Sequence, residues 1–164
     1  MPKYSKFLML FCALFFVSYA NLHAAGLSTG FSEVTLEDLE IGKAYSTKEV
    51  ALLPLVVVNT GEESVDLKVE VLQSQVPELK EGYMPLPALS WIKLEKADFL
   101  NIKPNETAIT DIIVSIPNDE KYLGKQYQVF IWSHTTGTKI GVGLKSKLLL
   151  KIVKDKYNKT GKLK

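Results

Sequence analysis

Residues 49–72 read EVALLPLVVVNTGEESVDLKVEVL, and this stretch decides the fold class. Ser64–Leu72 alternates strictly, with Val65, Leu67, Val69 and Val71 on one parity and Asp66, Lys68 and Glu70 on the other. Successive side chains of a strand point to opposite faces, so this pattern is a strand with one buried and one wet face. Glu49–Asn59 is β-branched and apolar on both parities, which predicts a central strand, bent or bulged at Pro54. Thr60-Gly61-Glu62-Glu63 is turn chemistry, and two strands joined through NTGEE predict a β-hairpin.

The same period continues downstream. Trp91–Leu94 and Asp98–Ile102 are short strands, followed by a turn at Lys103-Pro104-Asn105-Glu106. Thr107–Ile116 is a strand, Pro117-Asn118-Asp119-Glu120 a turn, and Lys125–Ser133 a strand with Tyr127, Val129 and Ile131 on one face. After Thr135-Thr136-Gly137 turns the chain, Thr138–Val153 puts Ile140, Val142, Leu144, Leu148, Leu150 and Ile152 on one parity. Lys145, Lys147 and Lys151 take the other. The nearest helical segment, Leu36–Ile41, is too short to organise a domain. About seven short strands, regular turn signals and no long amphipathic helix predict an all-β fold, a single antiparallel β-sandwich.

The two ends differ from the body. Lys3 and Lys6 precede the apolar run Phe7–Ala20, FLMLFCALFFVSYA, and small residues follow at Ser18/Ala20 and Ala24/Ala25. This is the three-part signature of a signal peptide, assigned to residues 1–24. The run is shorter than the roughly 20 residues a spanning helix needs. The alternative is a membrane anchor left uncleaved. The expected organisation is a leader at 1–24, a flexible lead-in at 25–35, the sandwich at 36–153 and a basic tail at 154–164, in an exported protein of the periplasm or cell surface.

Cleavage changes the inventory. Cys12 and His23 leave with the leader, so the mature chain has no cysteine and His134 is its one histidine. That excludes disulfides, thiol chemistry and multi-histidine metal sites within one chain. All 20 basic residues are lysines. Lys151–Lys164 holds six lysines against one aspartate, while residues 25–150 hold twelve lysines against seventeen acids. A neutral total therefore hides an acidic body and a basic tail.

Val56-Val57-Val58-Asn59-Thr60-Gly61 before Val65-Asp66-Leu67, then Ile102-Lys103-Pro104-Asn105-Glu106-Thr107, then Ile116-Pro117 before Gly124-Lys125-Gln126-Tyr127-Gln128-Val129, follow one another in a familiar order. Together they resemble the bacterial immunoglobulin-like modules of exported proteins, both pilus-chaperone-like domains and cell-wall-associated ones. The resemblance covers most of residues 36–153 and implies an immunoglobulin-like sandwich and an assembly or binding role. Pilus chaperones have two such domains and a cleft with a paired arginine and lysine; this chain has length for one domain and contains no arginine. Gly124 and Tyr127 are spaced one residue too far for a tyrosine corner, so Tyr127 is expected only to pack.

No reactive constellation stands out. His134 sits at a strand end beside Ser133, but strand neighbours point to opposite faces, which places that serine poorly as its nucleophile. Glu37/Asp38/Glu40, Glu62/Glu63 and Asp119/Glu120 are acidic groups, the last two in turns, and a calcium site from those two pairs needs both loops at one end of the sandwich. Gly141-Val142-Gly143 lies within a strand pattern and lacks the rest of a nucleotide fingerprint. No catalytic residue, metal ligand or cofactor is assigned, and a small envelope hydrolase or metal-dependent enzyme stands only as an alternative.

Two candidate binding surfaces follow. The segment 75–90, QVPELKEGYMPLPALS, is proline-rich and carries Tyr83, Met84, Leu86 and Leu89 toward Trp91. Loops on rigid sandwiches often recognise partners; the competing role is to cover an open end of the core. The tail, through Lys151, Lys154, Lys156 and Lys159, suits an anionic envelope surface. The expected function is a noncatalytic module that holds another exported protein or a cell-surface polymer, by a sheet edge or by the 75–90 loop, with no role in nucleic-acid binding. A pilus-chaperone-like assembly factor is the alternative.

Overall fold

In the computed structural model of the chain, residues 26–138 and 141–154 are described. Two β layers enclose one core. In the first, β2 (Glu33–Leu39), β12 (Gly143–Ile152), β11 (Gln126–Thr136), β5 (Val65–Gln73) and β8 (Asp98–Ile102) lie side by side in that order, and the two-residue β6 (Met84–Pro85) pairs alongside β11. The second has two three-stranded pieces. One is β1 (Leu27–Thr29), β4 (Leu55–Asn59) and β9 (Thr107–Thr110); the other is β3 (Ala44–Ser46), β10 (Ile112–Ser115) and β7 (Ile92–Leu94). The fold is an all-β, immunoglobulin-like sandwich.

The alternation read from the sequence sets the core. Leu67 and Val69 of β5, Val129 and Ile131 of β11, and Leu148, Leu150 and Ile152 of β12 point inward and are buried. They meet Leu55 and Val57 of β4 with Ala108, Ile112 and Val114 of the opposite layer. Tyr127 is buried among them, as expected.

Four expectations are corrected. β4 and β5 do not form a hairpin: β4 pairs with β1 and β9, whereas β5 pairs with β11 and β8 in the other layer. NTGEE is an arch between layers, held by the buried side chain of Asn59. Its Nδ2 donates to the carbonyls of Glu63 (2.8 Å) and Ile102 (2.9 Å), and its Oδ1 accepts from the Gly61 amide (2.9 Å). Of the expected lead-in 25–35, the described residues 26–35 are not loose: β1 and the start of β2 lie there and Phe31 is buried. Leu36–Ile41 is not helical. β2 runs parallel to β12, and the register slips where Leu36 pairs with Leu150 and Leu39 with Ile152. Asp38 takes a positive φ of 55° at that bulge, so two buried leucines three apart belong to a strand.

The fourth correction concerns Glu49–Asn59, of which only Leu55–Asn59 is strand. Ala44–Ser46 pairs with Ser115–Ile113, and Leu55–Val58 pairs with Thr110–Thr107. One long antiparallel pairing is thus interrupted by residues 47–54 on one side and by only Asp111 and Ile112 on the other. The longer side projects from the sheet, beginning with the one-turn helix α1 (Thr47–Val50). Asp111 fastens its base. Its carboxylate accepts from the hydroxyls of Ser46 (2.5 Å) and Thr47 (3.1 Å) and from the amides of Lys48 (3.0 Å) and Ile112 (2.9 Å). Burial by itself would raise the pKa of this carboxyl; the bonds from Ser46, Lys48, Thr47 and Ile112 outweigh it and hold the pKa below the ordinary aspartate value.

A carboxyl depressed in the folded state stabilises fully above its unfolded pKa, and the contribution is lost as pH falls through the folded pKa. Asp111→Ala is therefore expected to cost about 2–4 kcal/mol at neutral pH, given roughly 1.5–3 kcal/mol for a hydrogen bond to a charged group. In denaturant titrations the gap between wild type and variant should narrow as the pH is taken below the carboxylate range. Coincident unfolding curves at neutral pH would refute the clamp.

Candidate functional site

Strand β11 exposes an outer parity of Gln128, Phe130, Trp132 and His134, pointing away from the core. Gln128 and Phe130 are nevertheless buried, and so is Leu149, the residue of β12 opposite Gln128. Their cover is the segment 75–86, which leaves β5 and straps across this face. The Gln128 amide pins it: Nε2 donates to the Glu78 carbonyl (2.9 Å) and to Ser74 Oγ (3.3 Å), and Oε1 accepts from the Lys80 amide (2.9 Å). Gln73 Nε2 donates to the Leu86 carbonyl at 2.7 Å, and the Leu86 amide to the Gln128 carbonyl at 3.1 Å.

Ion pairs tie the strap's rim. Lys145 bonds Glu78 at 2.6 Å, and Lys80 bonds Glu33 of β2. The lysine hydrogen bonds are the main reason that the pKa values of Glu78 and Glu33 are lowered. These pairs are solvent-exposed, and water screens them. The buried amide is the stronger fastening.

The sequence-predicted residues separate accordingly. Leu86 is 1% and Trp91 5% exposed, both in the core, and Trp91 sits edge-on to Tyr122 (4.7 Å) and Tyr127 (5.6 Å). Both are buried and so unavailable to a partner, whereas Val76 of the same segment is 77% exposed. Tyr83 is half-buried, while Met84 and Leu89 are partly exposed. These five residues do not form one surface. Lys151 pairs with Glu37 at 2.5 Å, a bond that raises its pKa, and Lys154 is exposed. Lys156 and Lys159 lie outside the described residues, as does the leader.

Ser133 is buried on the inner parity of β11, whereas the His134 imidazole lies outside, with Nε2 3.0 Å from Glu70 Oε2. Glu62/Glu63 adjoin the end of the first layer where Asp66 pairs with Thr136. Asp119/Glu120 precede the opposite end, where Gln126 pairs with Lys151. The two acidic loops therefore cannot share a cation.

The surface missed from sequence is the projection 47–54. Val50 and Leu53 are exposed and Leu52 is 84% exposed, held at a positive φ of 53°. Beside it on the outer face of the second layer, Ile109 of β9 pairs with half-buried Val56 of β4. A signal was present: Ser46-Thr47-Lys48-Glu49 is a capping box, and Ser46 Oγ accepts from the Glu49 amide at 3.1 Å. The apolar residues after it obscured the helical turn.

No protein-family model matches the sequence, and no curated protein matches it. Solved structures do match the fold. The ASH/PapD-like domain of human CEP192 (PapD-like domain 7) superposes with a TM-score of 0.55 at 12% identity, over 79% of this chain and 86% of that one. The E. coli chaperone DraB gives 0.50 at 14% identity, over 79% of this chain and 56% of that chain. A chain from the Salmonella enterica SafA pilin in complex with the SafB chaperone gives 0.50 at 12%, over 79% and 55%. The chain thus spans little more than half the length of those last two. The fold is PapD-like.

Gln128→Ala should leave the Lys80 amide and the Glu78 carbonyl without partners under the strap, at a cost of about 1–3 kcal/mol. Limited proteolysis should then nick residues 75–83 in the variant well before wild type, and equal rates of nicking would show that the amide does not hold the strap.

Proposed function

We propose that the domain is a noncatalytic binding module of the cell envelope, which holds an exported protein against its second layer through the Val50–Leu53 projection. One observation carries this reading: a leucine 84% exposed at a positive φ, on a projection braced by a half-buried carboxylate. Leaving apolar surface in water forfeits roughly 25 cal/mol per Å². A non-glycine residue in the left-handed region costs about 1–3 kcal/mol more. A sheet that spends a four-bonded aspartate to hold that arrangement gains from it when a partner covers the leucines.

The leader signature of residues 1–24 supports an exported location. The fold supports the assembly role in general terms, since it recurs in the DraB chaperone and in a pilin–chaperone complex. The pilus-chaperone-like reading shares that support, but with no arginine in the chain the anchoring pair expected of such a cleft is missing. The strap is a weaker candidate than the projection: its Leu86 is in the core and its exposed Val76 and Met84 are far apart along the segment, whereas Val50, Leu52 and Leu53 stand together.

Leu52→Asp tests the proposal. So exposed a position should change stability by no more than about 0.5 kcal/mol. In-cell cross-linking through a photoreactive residue at position 53 should give a discrete envelope adduct in wild type and lose it in Leu52→Asp. An adduct of equal yield in both would move the contact elsewhere.

A further inference from the structure

The two layers turn different chemistry outward. On the first, Asp66, Lys68 and Glu70 of β5 and Lys145 and Lys147 of β12 take the outward parity, and Trp132 and His134 between them stack on each other at 4.0 Å. On the second, Leu55, Val57, Ala108, Ile112 and Val114 are buried and fix the inward parity. Their strand neighbours therefore face out. Val56 pairs with Ile109 and Val58 with Thr107 on one side of the projection; Ile113 pairs with Ser46 and Lys93 on the other. Lys93 is the one charged residue at an outward strand position of this layer among the described residues. Asp111, between β9 and β10, is spent on the base of the projection. The wet face of an antiparallel sheet is ordinarily polar, and this one is valine, isoleucine and small hydroxyl residues.

The projection makes the face self-complementary. It supplies a knob, Leu52 with Val50 and Leu53 beside it, and the strands that flank it supply a bed, on which Ile109 is 55% exposed. A two-fold contact needs both on one surface, because whatever one subunit offers, the other offers in return. Charge points the same way. An unlike partner is steered and selected by charges opposite to those it meets, and this face has little to select with. A face of one sign would repel its own copy. Here the exposed charges of the helical turn, Lys48 and Glu49, are adjacent and opposite, so the projection has no net charge to repel a second one.

We propose that a second copy of this chain covers the face, in a two-fold dimer with the second layers turned toward each other. The inference rests on the projection's being a docking element, and it names the exported protein that the element holds. Leu52 of each copy seats on the Val56–Ile109 bed of the other. The strand part of the face is three strands wide, with β3 and β4 contributing three and five residues along its length. At strand spacings of about 4.8 Å and a rise of about 3.3 Å per residue it measures roughly 14 by 26 Å. Even with the projection added, that is a small contact beside the roughly 800 Å² a side of a standard interface. The dimer is therefore a reversible one.

The test is sedimentation velocity of the leaderless protein across a concentration series. A monomer–dimer equilibrium is expected, with a dissociation constant on the order of 10–100 µM. Leu52→Asp changes the knob and Ile109→Glu the bed. Both positions are exposed, so both variants should melt near wild type. Each substitution enters a two-fold contact twice, so each should weaken the dimer about a hundredfold, tenfold per copy. Lys68→Ala, on the other layer, should dimerise as wild type does. A wild type that stays monomeric to about 1 mM, or a dimer indifferent to both Leu52→Asp and Ile109→Glu, would overturn the proposal. The adduct from the photoreactive residue at position 53 separates this outcome from that of the docking role. Twice the mass of the chain is expected. An adduct of another mass that is lost in Leu52→Asp would overturn the second copy and keep the docking role. Binding of a monomer to phosphatidylglycerol vesicles that is lost in Leu52→Asp would overturn the second copy and give the projection to lipid.

Discussion

Strand β11 has to bury both of its faces, and most of the molecule's arrangement follows from that requirement. Its inner parity, Tyr127, Val129 and Ile131, joins the core that any sandwich needs. Its outer parity starts with Gln128 and Phe130, which a one-sided sheet would leave wet. The chain meets this by leaving β5 at Ser74, crossing the outer face and returning at Leu86, so that the strap becomes a partial third layer. A buried amide without partners costs about 1–3 kcal/mol. The polar atoms of Gln128 are therefore matched to strap backbone and to Ser74, and the strap has one register in which they are satisfied. Only past Phe130 does the outer face reach solvent, which is where Trp132 and His134 stand.

The second layer answers a different constraint. Its main pairing runs from Ala44 to Asn59 against Thr107 to Ser115, and it has to absorb a surplus of residues on one side. The projection 47–54 takes up the surplus and Asp111 closes the gap opposite. Ala108, Thr110, Ile112 and Val114 keep one inward parity straight through Asp111. The interruption therefore leaves the core intact and concentrates its irregularity outside, in a helical turn, a left-handed leucine and three exposed apolar side chains.

What was legible in the sequence was whatever depends on period two. The β5, β11 and β12 patterns identified their strands and inward faces, and so the sandwich. What was not legible depends on pairing partners or on local breaks in the period. Asn59 and Gly61 look the same in a hairpin as in an arch; the difference lies in Ile102, more than forty residues away, whose carbonyl the buried Asn59 amide reaches. Leu36 and Leu39 mimic a helix because a bulge at Asp38 inserts one residue into a strand. The strap's role was half legible. Its apolar residues suit covering the core as well as binding, and Leu86 and Trp91 belong to the core, whereas Gln128, the residue that anchors the strap, is an ordinary polar strand residue until its partners are known. The projection hid behind its own hydrophobicity, although its capping box was readable.

The edges of the large sheet bear on where recognition can occur at all. An open strand edge invites any extended chain, and folded proteins guard against that with charge, bulges and short strands. β2, which closes the β12 side, carries Glu33, Glu37 and Asp38 and is bulged at Asp38. β8, on the far side, slips register between its pairs with Val65 and Leu67; Asn101 turns to a positive φ of 53° there, and its amide is taken by Asp66 Oδ1 at 2.8 Å. In the second layer β1 is only three residues long. Backbone pairing is thus discouraged at each of these places, and selectivity falls to side chains presented from faces. The two faces offer different chemistry: leucines on one, a ring stack with a carboxylate and ammonium groups on the other. Because a core separates them, a contact made on one face leaves the other open.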